Sequence, residues 1–76
     1  MKTIRLLHFA QLADQRGTSE ETVETEAVTA ADLHAELGIE PPLSEMRVAV
    51  NHTFTESTAP LRDGDTVAFL VPFAGG

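Results

Sequence analysis

The sequence predicts an α+β roll, a mixed sheet with one main helix packed across it. Three observations point there. Apolar strand-like runs stand near both ends of the chain, at Ile4–Phe9 and Thr66–Val71. A single helix with its own start and stop signals lies between them at Ala30–Leu37. Met46–Asn51 alternates with the period-two pattern of a half-buried strand. The length of 76 residues allows one small domain, and a hydrophobic share of 42% is enough for a packed core.

In the first strand Ile4, Leu6 and His8 share one face, and Arg5, Leu7 and Phe9 share the other. Apolar residues on both faces suit a central strand or one whose outer face meets a partner. Ala10–Arg16 holds good helix formers before Gly17, which predicts a short helical turn. Glu20–Glu26 reads as a second strand, hairpin-paired to the first, with Val23 inward and the acids solvated. Thr29 is placed as an N-cap with Asp32 three residues on, a variant of the capping box. The helix then buries Leu33 and Leu37 at i, i+4 spacing, and Gly38 closes it in the left-handed conformation. Ile39-Glu40-Pro41-Pro42 cannot continue a helix and reads as a crossover. In the following strand Met46, Val48 and Val50 share one side, and Asn51-His52 turns the chain into a short strand at Thr53–Thr55. Pro60–Asp65 is a loop with a tight turn at Asp63-Gly64. The last strand points Val67 and Phe69 to the core and Ala68 and Leu70 away from it. The apolar character of the first and last strands is consistent with their lying side by side at the sheet centre. Residues 1–72 are assigned to the domain and 73–76 to a flexible C-terminal tail.

Twelve acidic residues against five basic ones give a net charge of -7, a field that repels phosphate backbones and anionic membranes. Neither nucleic acid nor a membrane is an expected partner; a basic protein surface is. There is no cysteine, so disulfides and thiolate metal sites are excluded, in keeping with a reducing cytosol. The chain has no targeting signal and no apolar run of about 18 residues, so a cytoplasmic protein is expected. Side-chain catalysis is not indicated. His8, His34 and His52 are scattered, no serine or cysteine nucleophile pattern is present, and the glutamates between Glu20 and Glu26 lack the spacing of a calcium loop. His34 reads as a solvated or half-buried helix residue, and no bound cofactor or metal is expected.

The C-terminus carries the remaining signal. Gly75-Gly76 follows an apolar strand closely and would project the terminal carboxylate beyond the domain body. Glycine has no Cβ and adopts backbone angles closed to other residues, so such a tail can thread a narrow channel. The chemistry this permits is acyl activation of the carboxylate itself, which requires no side-chain catalyst in the chain.

Phe9-Ala10-Gln11-Leu12, Val50-Asn51-His52-Thr53, and above all Pro60-Leu61-Arg62-Asp63-Gly64-Asp65-Thr66-Val67-Ala68-Phe69 through Gly75-Gly76 resemble the small subunit of molybdopterin synthase. The resemblance covers nearly the whole chain, and its specific part is the C-terminal third. It implies a ubiquitin-like β-grasp fold and a sulfur carrier that is not an enzyme alone. The Gly76 carboxylate would be adenylated by an E1-like activating enzyme that uses ATP, then converted to a thiocarboxylate. The tail would enter the large synthase subunit, which holds the active site, and donate sulfur to precursor Z to build the molybdopterin dithiolene. Gly75 would give the tail its clearance, and Phe9, Phe54, Leu70 and Phe73 would contact partners. Where the family often has two prolines before the tail, this chain has Val71-Pro72. Three other readings stand beside this one: a carrier for thiazole or cysteine synthesis, a ubiquitin-like modifier that conjugates to lysines, and an interaction domain whose diglycine is incidental.

Overall fold

The computed structural model describes residues 1–9, 11–39 and 42–71. Its elements run β1 (Lys2–Leu7), α1 (Gln11–Arg16), β2 (Glu20–Thr25), α2 (Ala30–Leu37), a single 3-10 turn (Leu43–Glu45), β3 (Arg47–Val50), β4 (Thr53–Thr55) and β5 (Thr66–Leu70). The five strands form one sheet in the order β2-β1-β5-β3-β4. β1 and β5 pair in parallel, and the other neighbours are antiparallel. The first and last strands are therefore adjacent inside the sheet, and with α2 across one face this is the ubiquitin-like β-grasp.

The local signals for α2 act as expected. Thr29 accepts a hydrogen bond from the Asp32 amide at 3.2 Å, and Gly38 ends the helix at φ 65°. The helix lays Ala30 and Leu33 onto Ile4, Leu6, Val48, Val67 and Phe69, all buried and all on one sheet face. His34 is half-buried, its ring edge-on to Phe69 at 5.6 Å between centroids. Leu12 of α1 and Ala27, Ile39 and Leu61 of three connections complete this core.

Several sequence expectations need correction. The first strand occupies residues 2–7 instead of 4–9, because its ladder to β2 ends at the pair Leu7–Glu20. His8 and Phe9 leave the strand there, with the His8 amide donating to the Ser19 carbonyl at 2.8 Å. The second strand stops at Thr25, whose buried hydroxyl accepts from the Ala27 amide and donates to Glu36. Its acids are not all solvated either. Glu21 shares parity with Val23 and Thr25, so it points to the covered face and is bound by His8 and Arg16. One expectation holds: Ala68 points away from the helix, and its burial there has a reason that lies on the opposite sheet face.

Candidate protein-docking face

The helix covers one side of the sheet and leaves the other open. On that open side the register lines up one residue from each of four strands. Leu7 of β1 opposes Ala68 of β5, Ala68 opposes Ala49 of β3, and Ala49 opposes Phe54 of β4. Two alanines in the middle and large side chains at the ends make a trough. Both alanines are buried, at 8% and 7% exposed, because their larger neighbours shield them. With Phe9, His52, Thr66 and Leu70, these residues line a concavity of about 170 Å³.

Phe9 and Phe54 stand on its rim, 51% and 58% exposed. Leu70 is half-buried beside them. Three of the four positions expected to contact partners, Phe9, Phe54 and Leu70, thus line one surface feature, although they come from a loop and two different strands. Contiguous exposed apolar area of this kind marks interaction surfaces.

Two polar networks hold the rim. His8 is buried next to Phe9, and its Nε2–H donates to Glu21 Oε2 at 2.8 Å. Arg16 of α1 binds the same carboxylate through two nitrogens, at 2.9 and 3.0 Å. This charge-assisted pairing from Arg16 outweighs the cost of burial and, with His8, lowers the Glu21 pKa to about 2. The Arg16 guanidinium is correspondingly held further towards its charged form. β1, α1 and β2 are thereby tied together where Phe9 emerges, and the Leu12 amide fixes the Phe9 carbonyl at 3.0 Å.

The second network is at the β3–β4 turn. Asn51 and His52 have φ of 53° and 69°, the pair of positive values that a two-residue type I′ hairpin turn demands. Asparagine tolerates this; histidine does so less readily. The turn is held from outside: the Asn51 side chain donates to Asp65 at 3.0 Å and accepts from the Thr66 amide at 3.0 Å. The Asn51 amide also donates to the Thr66 carbonyl at 2.7 Å. Asp65 in turn accepts from the Arg62 amide at 2.8 Å. This clasp fixes His52 and Phe54 relative to β5.

Among the described residues no cluster of histidine and carboxylates is arranged to hold a metal ion, and no helix is long and apolar enough to cross a membrane. Phe73, Gly75 and Gly76 lie outside the described residues, as does the boundary expected at residue 72. What is described is the root of that segment. Because β5 runs parallel to β1, it carries the chain to Leu70 and Val71 at the end of the sheet where Phe9 lies. The sequence reading placed Leu7 and Ala68 on the outward face but did not name them, Ala49 or His52 as parts of a docking surface. The available signal was alanine, a poor strand former, at the outward positions of two apolar strands.

The chain matches the model of the ThiS family over residues 6–76. No curated protein matches it. Among solved structures it is similar to molybdopterin converting factor subunit 1 from Pyrococcus furiosus, with 23% identity, a TM-score of 0.73, and coverage of 95% of this chain and 99% of that one. It is also similar to SAMP1 from Haloferax volcanii, at 24% identity and TM-score 0.74, covering 97% and 99% of the two chains. A third similar structure is the complex of subunits 1 and 2 of the molybdopterin-converting factor from Helicobacter pylori, at 22% identity and TM-score 0.64, with coverage of 97% and 99%. At these identities the structures establish a shared fold, and the family match establishes membership: this chain belongs to the ThiS family of ubiquitin-like sulfur carriers.

Proposed function

We propose that this chain is the sulfur-carrying small subunit of a molybdopterin synthase and that its open sheet face docks the proteins that load and unload its tail. The observation that carries the reading is the apolar trough at the end of the sheet from which the C-terminal segment departs. A partner seated on Phe9, Phe54 and Leu70 would have the tail beside its own active site, with Phe73 as a further contact. The chain needs no catalytic side chain for this role, because the reactive group is the Gly76 carboxylate.

The chemistry has two steps on the carrier. The carboxylate attacks the α-phosphate of ATP on an E1-like activating enzyme, giving the acyl-adenylate and pyrophosphate. Sulfide-level sulfur from a donor then displaces AMP and leaves a thiocarboxylate, with one oxygen exchanged for sulfur. In the large synthase subunit the tail would hand this sulfur to precursor Z, and Gly75 would let the backbone pass a narrow entry. Likeness to a subunit 1 that forms a complex with subunit 2 supports the pairing with a large subunit.

Coexpression with the activating enzyme and large subunit of the same genome, followed by intact mass, tests the reading. The expected result is a gain of about 16 Da, lost on deletion of Gly76 with the fold unchanged, since a chain terminus adds few buried contacts. A ladder of lysine conjugates would make the chain a modifier. A thiocarboxylate that yields no molybdopterin with the large subunit would assign the carrier to another pathway, such as thiazole or cysteine synthesis.

A further inference from the structure

We infer that Arg47 reads the polarity of the docking partner: it receives a carboxylate of that protein in a groove along the β3–β4 edge, beside the apolar trough. The inference rests on the open face being the docking surface and names what the partner must carry there.

On a chain of net charge -7, cations are scarce. Arg5 and Arg16 are already engaged by Glu20 and Glu21. Arg47 is exposed and has no carboxylate partner among the described residues. Its guanidinium lies over the Phe54 ring, 4.5 Å from the centroid. Stacking of this kind uses the flat face of the guanidinium and leaves its in-plane N–H donors unspent. The head group is thereby held in place before any partner arrives, so less side-chain entropy is lost when a carboxylate binds it.

The setting fits an incoming side chain. Arg47 and Phe54 line a groove of about 430 Å³ with Leu43 and Met46 below and the hydroxyls of Ser57 and Thr58 alongside. Glu56 also lines it and forms no ion pair with Arg47, which leaves the guanidinium to an outside anion. Phe54 is a wall of both the groove and the trough, so a protein covering one meets the other. Arg47 also opposes Leu70 in the sheet register, which places the cation at the level where the chain leaves β5. A nucleic-acid phosphate does not suit this site, because the surrounding charge repels a polyanion. A carboxylate on a protein surface meets one local cation without facing that wider field.

The prediction has a sign that whole-molecule electrostatics does not share. If the acidic chain meets a basic partner through its overall field alone, a further negative charge strengthens or spares binding. If Arg47 pairs with a carboxylate, charge reversal weakens it. Binding of the purified molybdopterin synthase large subunit of the same genome, by calorimetry, separates the two. Arg47→Ala is expected to weaken binding about tenfold and Arg47→Glu by a further factor of about ten, with Arg47→Lys between wild type and Ala. The melting temperature stays near wild type in each, since the side chain is exposed. Arg47→Glu binding as tightly as wild type, or more tightly, overturns the inference. Leu70→Glu, run alongside, keeps the two readings apart. Loss of binding in Leu70→Glu with none in Arg47→Glu leaves the docking face standing and removes only the carboxylate pairing. Wild-type affinity in both variants removes the docking face as well, and failure of the wild-type chain to bind the large subunit overturns both readings together.

Discussion

The two faces of the sheet are built from the same strands and differ in what covers them. On the helix side Ile4, Leu6, Val67 and Phe69 are fully buried, closed over by α2, α1 and three connections. On the open side Leu7, Phe54 and Leu70 stand around two buried alanines, and among the described residues no helix packs on them. The chemistry of the side chains is similar; their energetic roles are not. Apolar area on the covered face stabilises the fold, at about 25 cal/mol for each Å² removed from water. Equivalent area on the open face yields that energy only when another molecule arrives. Hydrophobicity alone therefore does not distinguish core from interface in a sheet this small. The covering layer does.

Truncating one aromatic on each face breaks the comparison most directly. Phe69→Ala opens a cavity under α2 and is expected to cost about 3–5 kcal/mol, enough to unfold much of a small domain. Phe54→Ala removes a ring that is 58% exposed and should cost well under about 1 kcal/mol of stability while weakening partner binding. Urea midpoints for the pair, read beside binding, check the contrast; equal destabilisation by both would show that the open face is part of the core.

The covered face also has a polar end, and acid exposes it. Glu21 has its pKa lowered to about 2, against 4.5 for an unperturbed glutamate, chiefly by Arg16 and then by His8. A depressed carboxylate stabilises the fold above its unfolded pKa, and that contribution is lost as pH falls from about 4.5 through about 2. With the side chain 21% exposed and solvent screening the pair, the contribution is about 1–2 kcal/mol. Glu21→Gln should be less stable than wild type by that amount at pH 7, and the difference should shrink towards pH 2. A constant difference across this range would remove the linkage.

A further contrast concerns the clasp behind the open face. Asn51→Gly keeps the positive φ and loses both side-chain hydrogen bonds; Asn51→Ala loses the bonds and strains the turn. Stability should fall by about 1 kcal/mol for Gly and somewhat more for Ala. If the clasp positions His52 and Phe54, both variants also broaden the NMR resonances of the β3–β4 hairpin, an effect that mere loss of stability would not confine to that turn.

Wherever a local interaction decides, the chain was legible in one dimension. The span and caps of α2, the turn at Asn51-His52, the Asp63-Gly64 turn and the inward sets Ile4–Leu6 and Val67–Phe69 all follow from neighbours within four residues. The apolar character of the first and last strands was consistent with their adjacency, which came from the β-grasp arrangement and not from the residues alone. What sequence distance hides was not legible. Glu21 reads as one more solvated acid until β1 pairing sets it beside His8 and α1 brings Arg16 to it. Leu61 and Ile39 look like loop residues until the sheet and helix close over them. Parity placed Phe9 and Leu70 away from the helix, yet the trough between them depends on Ala49 and Ala68 meeting across β3 and β5. Arg47 gains its meaning only from the ring it rests on and from the Leu70 it opposes. Alternation along a strand is intrinsic to the backbone and can be read from the residues. Which strands become neighbours, in which register, and which face remains uncovered are decided by long-range packing, and on that decision the docking surface of this protein depends.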